Sequence, residues 1–100
     1  MKQIYELSFW LKNDADENVP ELRRLFENFK FEIIQVITPQ TRPMAYPIQK
    51  ETVGKFGTIY FYAEKEKIEE FKNKVKGLSE ILRFIILRRK HLKLNNKNNK

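Results

Sequence analysis

Residues 42–50 read Arg-Pro-Met-Ala-Tyr-Pro-Ile-Gln-Lys, and the arrangement of the whole 100-residue chain depends on this central stretch. It separates two runs of β-branched and aromatic residues, which are typical of strands. Each of its two prolines lacks a backbone N–H and has a fixed φ, so we predict neither a helix nor a central strand here. We interpret the stretch as the arm of a long β-hairpin, with the cations Arg42 and Lys50 at its ends.

The runs on either side of the arm predict the second and third strands. Residues 31–38 form the first run, and Pro39 is expected to end it. After the arm, Val53-Gly54-Lys55 and Gly57 have the composition of a turn. Residues 56–63 form the second run. Its alternation predicts a core-facing set of Gly57, Ile59, Phe61 and Ala63.

Farther from the arm, one helix and one strand are predicted on each side. Residues 2–11 alternate as a strand, with a core-facing set of Tyr5, Leu7, Phe9 and Leu11. Residues 19–29 form a helix, because their apolar side chains recur at steps of three and four, and Asn18 is its predicted N-cap. Towards the C-terminus, residues 64–76 have the pattern of an amphipathic helix, and residues 81–89 alternate as the last strand.

The order strand, helix, strand, strand, helix, strand predicts an α+β fold. Its arrangement is the ferredoxin-like split βαβ, a four-stranded antiparallel sheet with two helices on one face. Right-handed crossovers place the first and third strands at the centre of the sheet. We expect one domain at residues 1–91, followed by a disordered basic tail at residues 92–100, which is rich in lysine and asparagine.

The composition favours an anionic partner. Twenty Lys and Arg residues against 13 Asp and Glu give a net charge of +7, and no apolar run approaches the roughly 20 residues that span a bilayer, so nucleic acid is favoured over a membrane. The chain has no cysteine, which excludes disulfides, thiol nucleophiles and thiolate metal sites. Because the first residues read as a strand and lack the pattern of a secretion signal, we expect a cytoplasmic protein.

Little in the sequence predicts catalysis. His91 is the only histidine, and no motif identifies an acidic partner for it. Glycine-rich phosphate loops and metal-ligand patterns are also missing from the sequence, so no cofactor, metal or small-molecule substrate is expected. We predict that the protein is not an enzyme, although the fold alone does not exclude a small phosphatase that uses arginine and asparagine.

The sheet face without helices is predicted to mix aromatic rings, aliphatic side chains and cations. Its residues would be Trp10, Phe56, Tyr60, Tyr62, Arg83, Ile85, Leu87 and Arg89. Either the rings stack on bases while the arginines bind phosphates, or the apolar patch docks another protein and the cations bind RNA at its rim. The second interpretation is favoured because the sequence lacks the glycine-aromatic consensus of RNA modules that stack bases on a sheet.

The candidate binding residues fall into two sets. Those predicted to bind RNA are Arg42, Lys50, Arg83, Arg88, Arg89 and Lys90. Those predicted to contact a protein partner are Tyr46, Tyr60, Tyr62, Ile85 and Leu87. The run 88–90 contains three cations and no acidic residue, which makes it the strongest local candidate for phosphate contact.

Three short motifs carry a resemblance to a known family. They are Tyr5-Glu6 in the first strand, Arg42 with Ala45-Tyr46-Pro47-Ile48 and Lys50 in the arm, and Leu87-Arg88 with Lys90-His91 after the last strand. With them, the sequence resembles bacterial small-subunit ribosomal protein six over nearly its whole length. The resemblance implies a non-catalytic component of the small ribosomal subunit, which binds the central domain of small-subunit ribosomal RNA as a heterodimer with ribosomal protein eighteen.

The resemblance also implies which residues interact, namely Arg42, Tyr46, Lys50, Arg88 and Lys90. An alternative from a different class is a homo-oligomeric ferredoxin-like module that binds a ligand or another protein and does not associate with RNA. Such a module would associate with itself through the open face or an edge strand, without salt-dependent affinity for RNA.

Overall fold

The computed structural model describes residues 2–90 and contains the predicted order of elements. They are β1 (Lys2–Lys12), α1 (Pro20–Phe29), β2 (Glu32–Ile48), β3 (Glu51–Glu64), α2 (Lys65–Lys76) and β4 (Ile81–Arg89). The strands form one antiparallel sheet in the order β2-β3-β1-β4, so β1 and β3 are central. This confirms the ferredoxin-like α+β fold. His91 and the predicted tail at residues 92–100 lie outside the described residues.

The core lies between one face of the sheet and the two helices. The core-facing sets predicted for β1 and β3 are buried, including Leu7 and Phe61, neither of which has any solvent exposure. The helices cover them with Leu22, Phe26, Phe71 and Val75. Four rings, Phe26, Phe31, Phe61 and Phe71, contact one another with centroids 5.0–6.5 Å apart. The local alternation of apolar residues therefore predicted the correct face of each central strand.

The central hairpin is longer and more regular than the sequence predicts. β2 runs through to Ile48, so the arm is strand, and the predicted end of this strand at Thr38 is wrong. Its prolines are accommodated because β2 is an edge strand, on which a missing N–H removes no bond to a second neighbour. The pairing of β2 with β3 shifts register at three places, between residues 33 and 35, 37 and 40, and 43 and 48.

The turn of the hairpin is also not where it was predicted. It lies at Gln49 and Lys50, which both have positive φ, at 50° and 69°, as in a two-residue type I′ turn. The predicted turn residues around Gly54 are instead part of β3. Gly54 is needed for close packing, since a Cβ there would lie 2.7 Å from both the Leu11 carbonyl oxygen and Met44 Cε.

Replacing Lys50 with glycine should stabilise the hairpin. Glycine adopts positive φ without the steric cost of a Cβ, which stabilises the folded state. This stabilisation exceeds the entropic cost of glycine's greater freedom in the unfolded chain by about 0.5 kcal/mol. Thermal unfolding should show a melting temperature higher by about 2–4 °C. Thr52→Gly is the control, since Thr52 is an exposed strand residue without positive φ, and should lower the melting temperature.

The start of α1 differs from the prediction by one residue. Its N-cap is Val19, at φ 44°, and no side chain caps the helix. Asn18 instead donates its backbone N–H to Asp16 Oδ1 at 2.9 Å, so the carboxylate of Asp16 orders the loop before the helix. The buried side chain of Val19 explains this arrangement, because it adds an apolar group to the core and leaves the polar Asn18 one residue before the cap. No helix within residues 2–90 is long and apolar enough to cross a membrane.

Candidate RNA and protein interface

The sheet face opposite the helices carries all eight of the side chains predicted for it. Cross-strand register sets out rows of residues from β3, β1 and β4. The rows are Tyr62-Ile4-Arg89, Tyr60-Glu6-Leu87, Thr58-Ser8-Ile85 and Phe56-Trp10-Arg83. Residues in one row point to the same face, so this open face has cations at its ends and apolar or satisfied polar groups between them.

The centre of the open face is apolar towards β4. Ile85 is 55% exposed and Leu87 is 45% exposed, and both belong to an edge strand. Beside Ile85, the hydroxyls of Ser8 and Thr58 are hydrogen-bonded to each other at 3.1 Å. This region therefore combines exposed aliphatic side chains with polar groups that already have partners. Such a combination is better suited to binding another protein than to binding a phosphate.

A ring cluster lies at the end of the open face nearest the hairpin turn. Trp10 and Phe56 have their ring centroids 5.1 Å apart, and the Arg42 guanidinium carbon lies 5.4 Å from the Phe56 centroid. That distance is within the range of a cation–π interaction, which holds the guanidinium over the ring. Arg83 is in register with Trp10, so two of the predicted RNA-binding cations flank this cluster.

At the opposite end of the sheet, two arginines that are adjacent in sequence have different hydrogen-bond partners. Arg89 Nη1 donates to Glu6 Oε1 at 2.7 Å, and the Glu6 side chain is only 17% exposed. Arg88 Nη1 donates instead to Gln3 Oε1 at 3.0 Å. A carboxylate thus compensates the charge of Arg89, whereas a neutral amide orients Arg88 and leaves its charge available. Sequence reasoning placed only Arg89 on the open face, but it predicted that both residues bind RNA and did not predict their different partners.

Arg88 and Arg89 also face opposite sides of the sheet. Arg89 is in register with Ile4 on the open face, and Arg88 is in register with Tyr5 on the face that the helices cover. Burial raises the pKa of the Tyr5 hydroxyl, and the positive charge of Arg88 opposes this rise. The charge of Arg88 therefore acts on the Tyr5 hydroxyl at the end of the core, next to the last residues of β4.

The arm residues lie on the other edge of the sheet. β2 and β4 are the two edge strands, so Tyr46 and Lys50 are separated from the β4 cations by the width of the sheet. Tyr46 is 68% exposed, and Lys50 is an exposed turn residue. β1 pairs with β3 only as far as Gly54, so the last part of the hairpin extends past β1 as a two-stranded ribbon.

Lys2 and Glu6 are the residues that sequence reasoning missed. Lys2 lies with Tyr62 and Arg88–Lys90 around a pocket of about 360 Å³. The predicted topology contained the signal for both, because antiparallel pairing brings the start of β1 to the end of β4. Within residues 2–90, no group of three or more His, Asp or Glu side chains is placed to hold a metal ion.

Comparison with known proteins identifies the family. A family model described as ribosomal protein S6 matches residues 4–88. The chain belongs to the ribosomal protein S6 family. It is 28% identical over 100 residues to small ribosomal subunit protein bS6 of Borreliella burgdorferi (strain ZS7), with 97% of this chain and 72% of the relative covered. It is 30% identical over 89 residues to the bS6 protein of Phytoplasma mali (strain AT), with 84% and 95% covered.

The fold of this S6-family chain is similar to a solved structure of the family. The crystal structure of 30S ribosomal protein S6 from Thermotoga maritima superposes with a TM-score of 0.78 at 27% identity, and 89% of each chain is covered. These relatives confirm the resemblance drawn from the three motifs. The chain is a structural protein of the small subunit of the cytoplasmic ribosome and not an enzyme.

Proposed function

We propose that this S6-family chain binds the central domain of small-subunit ribosomal RNA as a heterodimer with ribosomal protein eighteen. The observation that carries the proposal is the separation of two kinds of surface on one sheet. Exposed aliphatic side chains, Ile85 and Leu87, lie in the middle of β4. Cations outside the ion pairs lie towards both ends of the sheet, with Arg83 at one end and Arg88 at the other. A protein and an RNA can therefore be bound side by side.

The protein partner is assigned to the β4 side of the open face. The β2 edge contains three prolines and three register shifts, which interrupt any regular pairing with another strand. β4 has no proline, and its pairing with β1 has one irregularity, between Trp10 and Leu11. Ile85 and Leu87 lie beside this regular edge, and the half-buried ring of Tyr60 is in the same row as Leu87.

RNA is assigned to the cations that no carboxylate compensates. Among residues 2–90 the ion pairs are Lys67 with Glu64 and Arg89 with Glu6. The predicted RNA-binding side chains Arg42, Lys50, Arg83, Arg88 and Lys90 take part in neither. Each phosphate that such a cation neutralises releases counterions, so the affinity should fall steeply as salt rises. We leave Arg89 out of the RNA-binding set, because Glu6 already compensates its charge.

The proposal is tested by binding a central-domain fragment of small-subunit ribosomal RNA across a salt series, with and without ribosomal protein eighteen. Salt-sensitive binding that strengthens when both proteins are present supports the heterodimer. Equally strong binding by this chain alone would indicate that the open face contacts RNA bases directly and does not bind the protein partner. If neither mixture binds and the chain self-associates through the sheet, the homo-oligomeric alternative replaces the proposal.

Ile85→Asp should weaken the affinity for ribosomal protein eighteen by more than about tenfold, since a carboxylate would be buried at an apolar contact. Ile37→Asp is a matched control. Ile37 and Ile85 lie in one row of the open face, paired respectively to Thr58 and Ser8, but on opposite edges of the sheet. Isothermal titration with the partner protein measures both, and equal losses would contradict docking on the β4 side.

A further inference from the structure

One corner of the sheet forms a pocket because its strands end at different points. β4 ends at Arg89, which pairs with Ile4, whereas β1 begins at Lys2 and β3 extends to Glu64 opposite it. The step between these strand ends forms a pocket of about 360 Å³, which is lined by Lys2, Gln3, Ile4, Tyr62, Arg88, Arg89 and Lys90. We refer to this site as the corner pocket. Its volume is at the lower end of the range for ligand pockets, roughly 300–1,000 Å³.

The corner pocket is strongly cationic. Four of its lining residues are lysine or arginine, and none is aspartate or glutamate. Glu6 compensates Arg89 from outside the lining, which leaves Lys2, Arg88 and Lys90. Residues 91–100, which follow in the sequence, contain three lysines and no acidic residue. Cations this close together favour binding of an anion that can accept hydrogen bonds from two of them, such as a phosphate.

Two further features suit a nucleotide, the first its phosphate and the second its base or sugar. The Gln3 amide oxygen accepts from Arg88 at 3.0 Å, which orients the guanidinium without neutralising it. The corner pocket wraps around the end of the sheet, with Tyr62 on the side of the open face and Arg88 on the side of the helices. The half-buried ring of Tyr62 therefore offers a flat apolar wall on one side of the pocket. Unpaired nucleotides of RNA are commonly bound in this way, with the phosphate on cations and the base or sugar against an aromatic ring.

We propose that the corner pocket binds one phosphodiester group of RNA, with Lys2, Arg88 and Lys90 as the cations and Tyr62 packed against the attached sugar or base. This inference rests on the proposed function and adds two assignments to it. Lys2 becomes an RNA-binding residue, and Tyr62 moves from the protein-binding set to the RNA-binding set. Arg89 positions Glu6 and is not itself a phosphate ligand.

The test uses the full chain in complex with ribosomal protein eighteen and the central-domain RNA fragment. Arg88→Gln and Lys2→Gln should each lower the slope of log affinity against log salt by about one unit, and the affinity at low salt by about tenfold. Lys74→Gln, on the exposed side of α2, removes the same charge and controls for net charge. The double variant Glu6→Gln with Arg89→Gln keeps the net charge and should leave the slope unchanged.

Tyr62→Leu separates the role of the ring from that of the charges. It should weaken RNA binding several-fold with no change in the salt slope, because stacking on an aromatic ring does not release counterions. Its affinity for ribosomal protein eighteen without RNA should stay at the wild-type value. A loss of that affinity in either Tyr62→Leu or Arg88→Gln would assign the corner pocket to the protein partner and overturn the inference.

The outcomes distinguish this inference from the proposed function. If the wild-type complex binds RNA and neither Arg88→Gln nor Lys2→Gln changes the salt slope, the corner pocket is not a phosphate site and the proposed function stands. If the wild-type complex does not bind the RNA, both fail. Melting temperatures close to wild type would show that the variants are folded, as expected for residues at an exposed corner.

Discussion

Replacing Phe61 with alanine should lower the free energy of unfolding by about 3–5 kcal/mol. Phe61 lies on the central strand β3, and its side chain has no solvent exposure. Its ring contacts the rings of Tyr5, Phe26, Phe31 and Phe71, with centroids 5.0–5.9 Å away. Alanine would leave a cavity at the point where the sheet meets both helices, and a well-packed core cannot collapse to fill it.

Urea denaturation followed by circular dichroism measures this loss. A domain of this size is stable by about 5–15 kcal/mol, so the variant should lose a large fraction of its stability and unfold at a much lower urea concentration. Phe61→Leu keeps most of the volume and should cost less than about 1.5 kcal/mol, which makes it a suitable control. A similar small loss in both variants would mean that the ring cluster is not the main source of stability.

Gly54→Ala should destabilise the protein by about 1–3 kcal/mol, because the added methyl group overfills a close contact. The new Cβ would lie 2.7 Å from the Leu11 carbonyl oxygen, which is backbone and cannot swing away. It would also lie 2.7 Å from Met44 Cε and 3.2 Å from the Trp10 ring. The strain therefore falls where the ribbon leaves the sheet, next to the ring cluster that holds Arg42.

Gly77→Ala provides the contrasting variant. Gly77 ends α2 at φ −84°, which any residue adopts, and a Cβ there would only meet the Lys74 carbonyl oxygen at 3.5 Å. Alanine should therefore leave the stability unchanged or raise it by about 0.4–1 kcal/mol, through the lower freedom of the unfolded chain. Thermal unfolding of the two variants gives the comparison, and equal effects at both positions would refute the close contact at Gly54.

The fold was predictable because hydrophobic patterns within short segments of the sequence specify it. The alternation in β1 and β3 and the three-and-four spacing in both helices each specify one buried face, and there is one sheet that can bury all of them. The strand order then follows from the handedness of the two crossovers. These are properties of short segments, so they can be read before any contact between distant residues is known.

The hairpin was not predictable in the same way. Proline and glycine are local signals of interruption, and they predicted an irregular arm and a turn around Gly54. In the structure, the prolines lie on an edge strand whose register shifts, and Gly54 is required by the backbone of Leu11 on a neighbouring strand. The reason for each residue is therefore a contact across the sheet, which the linear sequence does not display.

The composition and motifs of the sequence were enough to predict an anionic partner, the absence of catalysis and the family, since these depend on which residues are present. The contacts that each cation makes within the chain were decided by folding. Arg88 and Arg89 are neighbours in sequence, yet strand geometry turns them to opposite faces, where one meets Gln3 and the other meets Glu6. Those partners lie more than 80 residues away along the chain, and only the antiparallel register of β1 and β4 brings them together.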